Sequence, residues 1–74
     1  MDEITSLDKF LATPFRQEIE LQQVRYEAGF CTMRLRIREG KRFTVFDIDP
    51  DTATYLGKAL ADWAKGQGAE KSAG

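Results

Sequence analysis

"RQEIELQQVRYEAGFCTMRLRIREG", Arg16–Gly40, decides the fold. Ile19 and Leu21 alternate with Glu18, Glu20 and Gln22, and Met33, Leu35 and Ile37 alternate with Arg34, Arg36 and Arg38. A period of two marks two half-buried strands. Between them lies "EAG", and a three-residue loop of Glu27, Ala28 and Gly29 puts glycine at the left-handed bulge position. That loop sets Ile19 beside Ile37 and Leu21 beside Leu35. On the other face it sets Glu18, Glu20 and Gln22 opposite Arg38, Arg36 and Arg34. A two-residue loop would place Leu21 against Arg36 and Glu20 against Ile37. Only the first register agrees in both hydrophobicity and charge.

Working outward, "REGKRFTVFDID" continues into a third strand through a tight turn at Gly40-Lys41, which suits type II′. Thr44, Phe46 and Ile48 then join the apolar face, Asp47 faces Arg34, and Phe43 and Val45 fall on the arginine face. A three-residue loop would exchange the two sets. In either phase the strand is apolar on both faces, and at the edge of a meander that is a liability unless something covers it.

The flanks read as helices. "TSLDKFLATP" has Thr5 and Asp8 at capping-box-like spacing and a Leu7, Phe10, Leu11 stripe that predicts a short N-terminal helix ended by Pro14. "DPDTATYLGKALADWAKG" carries an N-cap at Asp49, proline at the first helical position, and Asp51 beside the positive helix end. Its stripe is Ala53, Leu56, Leu60 and Trp63 or Ala64, and Gly66 reads as its stop. The expected fold is α+β: a short N-terminal helix, a three-stranded antiparallel meander, and a C-terminal helix packed on one sheet face in two layers. The expected domain is 1–66, followed by a disordered tail at 67–74.

The 74 residues allow one small domain with little apolar surface to bury. One cysteine, Cys31, rules out an internal disulfide, and with no histidine an ordinary Cys/His zinc site is excluded. Oligomerisation is the remaining stabilising device. The net charge of −1 gives no strong field for nucleic acid or membrane. No apolar run approaches a transmembrane length, and the acidic start "MDEITSLDKF" differs from a secretory signal, so a cytoplasmic bacterial protein is expected.

Few residues carry chemistry. Arg34, Arg36, Arg38, Lys41 and Arg42 could track phosphates, but Glu18, Glu20 and Asp47 are placed to neutralise the comb, so nucleic-acid binding is the weaker reading. "DIDPD" does not match a calcium loop: counted from Asp47, the glycine position holds Thr52 and the glutamate position Lys58. Cys31 has no histidine base and reads as a structural thiol. Val24, Tyr26, Phe43 and Val45 form a candidate contact patch on the outer face of the sheet.

The block "LRIREGKRFTVFDIDPDTATYLGKALADWA", Leu35–Ala64, resembles a family of short bacterial proteins of unknown function. In that family an arginine-rich "RIREG" turn leads to a "DxDP" helix cap and ends near "WA". The resemblance implies no activity. The meander-then-helix order is also similar to the transcriptional-coactivator type of single-stranded-DNA-binding fold, whose dimers display curved sheets to DNA. This chain shows three strands where that fold has four, and its sheet lacks a basic surplus, so the likeness transfers no function. The sequence therefore points to a non-enzymatic homodimeric interaction module without cofactor, with Phe43 and Val45 at or beside the dimer contact. The alternative is a single-stranded nucleic-acid binder using the basic face.

Overall fold

A computed structural model describes residues 2–73, with side chains described through residue 67. Four strands precede one helix: β1 (Glu3–Ala12), β2 (Gln17–Arg25), β3 (Cys31–Glu39), β4 (Arg42–Ile48) and α1 (Pro50–Ala73). The strands form one antiparallel meander in the order β1-β2-β3-β4.

The first hairpin takes the expected register, and the second takes the two-residue-turn phase of the two that the sequence left open. Ile19 pairs with Ile37, Leu21 with Leu35, and Glu20 with Arg36. Gly29 sits at φ 96, where a side chain would be strained. The loop is closed by bonds from the Tyr26 N–H to the Phe30 carbonyl and from the Gly29 N–H to the Tyr26 carbonyl, both 2.9 Å. At the second turn Gly40 takes φ 60, and Leu35 pairs with Phe46 and Arg34 with Asp47. Phe43 and Val45 therefore do lie on the arginine face.

The N-terminal segment corrects the expectation. There is no N-terminal helix: residues 3–12 are the strand β1, and the sheet has four strands rather than three. The physical reason is a bulge. Pairing runs from Ser6↔Gln22 to Asp8↔Leu21, leaving Leu7 as the extra residue. One inserted residue shifts the two-residue alternation by one, so apolar residues at 4, 7, 10 and 11 imitate helical spacing. Asp8 does not cap a helix; its carboxylate accepts from the Lys9 backbone N–H at 2.8 Å. Pro14 does end the element, and residues 13–16 form the turn into β2.

α1 begins as expected. The Asp49 carboxylate accepts from the Thr52 N–H at 3.2 Å, and its carbonyl accepts from the Ala53 N–H at 2.9 Å. The helix does not stop at Gly66. The expected tail at 67–74 falls mostly outside the residues with described side chains.

The two-layer packing is also corrected. α1 meets the sheet at β3. Ala53 and Leu56 are half-buried, whereas Leu60 is 59% and Trp63 68% exposed. The single residue Asp49 between Ile48 and Pro50 fixes the direction in which the helix leaves β4. Consequently Val24, between Ile4 and Thr32 in the ladder, is the one fully buried apolar side chain among the described residues. The radius of gyration is 15.0 Å, against about 11 Å for a compact chain of this length.

Candidate interaction surfaces

The arginine face is built by cross-strand pairing. Arg34 reaches Asp47 on β4 through Nε at 2.8 Å and Nη2 at 3.1 Å. The Tyr26 hydroxyl donates to the same carboxylate at 3.2 Å, and Tyr26 stacks on Phe30 with ring centroids 4.6 Å apart. Arg36 reaches Glu20 at 3.4 Å and lies over the Phe43 ring at 4.3 Å. Arg38 reaches Glu18 at 3.6 Å, and Lys9 on β1 reaches the same glutamate at 3.8 Å.

Glu20 is the buried acid of this face, at 8% exposure. Its carboxylate accepts from the Ser6 hydroxyl at 2.7 Å. That bond holds its pKa below the ordinary value, with Lys9 and Arg36 adding to it against the cost of burial. The hydrogen bonds from Arg34 lower the Asp47 pKa, and Asp47 in turn raises that of Arg34. Three arginines of the comb are thus each matched by an acid. Lys41 and Arg42 lie at the β3–β4 turn, exposed, with Arg42 opposite Glu39.

The candidate contact residues share this face but differ in access. Phe43 is 50% and Val45 48% exposed. Val24 is buried within the sheet, and Tyr26 is half-buried and tied to Asp47. Only Phe43 and Val45 offer surface.

The opposite face is more apolar. By register it carries Phe10, Ile19, Leu21, Met33, Leu35, Ile37, Phe46 and Ile48. Phe10 and Phe46 are exposed, and the aliphatic residues between them are half-buried. Phe10 was not legible as part of this face, because its strand read as a helix. At one corner, Gln23, Cys31, Thr32, Met33, Pro50 and Ala53 line a hollow of about 280 Å3 where α1 begins. The described residues hold no group of three or more His, Cys, Asp and Glu side chains able to bind a metal, and no helix is long and apolar enough to cross a membrane.

Residues 1–66 match DUF6967, a family of unknown function. The chain belongs to DUF6967. The match begins at Met1, so this DUF6967 domain includes β1 as well as the Leu35–Ala64 block on which a family resemblance is legible in the sequence. No curated protein and no solved structure matches this DUF6967 chain.

Proposed function

We propose that this DUF6967 protein is a non-enzymatic, homodimeric protein-interaction module. One observation carries the reading: α1 meets the apolar sheet face chiefly at β3, most of that face is no more than half-buried, and the helix stripe beyond Leu56 is exposed, with Val24 alone fully buried among the described apolar side chains. The chain exposes 6117 Å2, against about 4,600 Å2 for a compact monomer of its mass. The excess of about 1,500 Å2 per chain is in the range that obligate dimers bury. With one cysteine and no histidine, neither a disulfide nor an ordinary zinc site can take the place of a partner.

The apolar face, rather than Phe43 and Val45, best suits self-association. The arginine face then points outward. Exposed Phe43 and Val45 beside guanidinium and carboxylate groups suit a protein partner. Its ion pairing leaves little free charge for a polyanion.

Size-exclusion chromatography with light scattering at micromolar concentration tests the dimer. A mass of two chains is expected, and a stable monomer overturns the reading. Phe46→Lys is expected to dissociate the dimer and Val45→Lys to spare it; the reverse order would move the contact to the arginine face. Fluorescence anisotropy with labelled single-stranded oligonucleotides at low salt is expected to give no shift. Salt-sensitive binding would favour a nucleic-acid module instead.

A further inference from the structure

The two uncovered apolar surfaces belong to the same chain and complement each other. The helix stripe starts at Ala53, which lines one hollow with Met33 and Cys31, and continues to exposed Leu60 and Trp63. The sheet face meets the hollow at its Met33 corner and continues through half-buried Leu35 and Ile37 to exposed Phe46. One residue, Asp49, joins β4 to α1, and its bonds to Thr52 and Ala53 start the helix directly after it; on this course α1 meets its own sheet at β3, and Leu60 and Trp63 stay exposed.

The dimensions agree. From Ala53 to Trp63 the stripe rises about 15 Å along the helix, and four strands about 4.8 Å apart span about 14 Å. A two-fold axis satisfies both surfaces at once, because each copy gives a helix and receives one, leaving no open end for further growth.

We infer that the dimer forms by helix exchange: α1 of each copy lies across the apolar sheet face of the other, with Leu60 and Trp63 packed near Leu35, Ile37 and Phe46. This rests on the homodimer reading and specifies its geometry.

Isotope-filtered NMR on a dimer mixed from 13C-labelled and unlabelled full-length chains tests it without altering a residue. The single tryptophan gives an unambiguous probe. Intermolecular contacts from the Trp63 indole to methyls of Leu35, Ile37 or Leu21 are expected, and its emission should shift to shorter wavelength as concentration rises through dimerisation. If light scattering gives a dimer whose Trp63 contacts are all within one chain, or only to the other helix, the exchange is overturned and the homodimer stands. A monomer by scattering overturns both.

Discussion

Arg34 and Asp47 meet across the β3–β4 ladder in a two-point pair, Nε to Oδ1 at 2.8 Å and Nη2 to Oδ2 at 3.1 Å. The Tyr26 hydroxyl, at the far side of β3, binds the same carboxylate. The pair ties the edge strand β4 to the sheet interior and orients the residues on either side of it. In the same register Phe46 lies beside Leu35 on the apolar face and Val45 beside Arg36 on the arginine face.

Removing either partner leaves the other half-exposed charge unmatched. Arg34→Ala and Asp47→Ala should each destabilise the fold, and a double-mutant cycle should give a coupling of about 0.5–1 kcal/mol. Urea titrations of the four proteins measure it. A coupling indistinguishable from zero would mean that β4 is held by apolar pairing alone.

Acid should weaken the protein in a defined direction. Glu20, Asp47 and Asp49 all have folded-state pKa values below their ordinary ones, through Ser6, Arg34 and Thr52 respectively. A depressed carboxylate stabilises the fold above its unfolded pKa and loses that contribution as pH falls through the folded value. Stability should therefore be fully present above about pH 5 and decline from about pH 4 downwards. Denaturant midpoints between pH 7 and pH 3 would reveal it, and the slope should be shallower in Glu20→Gln.

Thr32 Oγ1 is buried without a hydrogen-bond partner among the described residues. Thr32→Val keeps the β-branched shape and removes the orphaned hydroxyl. Midpoint stability should rise by about 1 kcal/mol, read by thermal or urea unfolding. A loss would show that the hydroxyl is satisfied in solution.

At the first hairpin, Gly29 holds φ 96, and the space that a methyl group would fill there is open. Gly29→Ala should cost about 1 kcal/mol through backbone strain alone. Gly57→Ala, helical and equally open, should instead stabilise, by up to about 1 kcal/mol. Unfolding curves of the two variants should move in opposite directions.

Much of the sheet was legible because its signals are local and redundant. Hydrophobic alternation, charge pairing and the turn glycine at 29 select one register for β2 and β3, whereas β4, apolar on both faces, was compatible with two phases, and its pairing with β3 decides between them. Glu18 and Glu20 could be set against Arg38 and Arg36 from the sequence, and Asp47 against Arg34 in one of the two phases of β4. β1 was not legible, because a bulge at Leu7 breaks the period on which strands are read. The candidate contact set was legible as a face but not as a surface: Val24 shares the face of Phe43 and Val45, yet burial depends on what β1 lays beside it.

Residue order alone was enough for the register of β2 against β3, the Glu18 and Glu20 partners of the arginine comb and the Asp49-Pro50 helix start, since each follows from neighbours a few residues away or from one short turn; the phase of β4 needed the structure. Three-dimensional packing was needed to establish that β1 joins the sheet, that Val24 is enclosed, and that α1 departs from the face it was expected to cover. Those outcomes depend on how far-apart segments pair and on the direction set by a single linking residue, which periodicity does not encode.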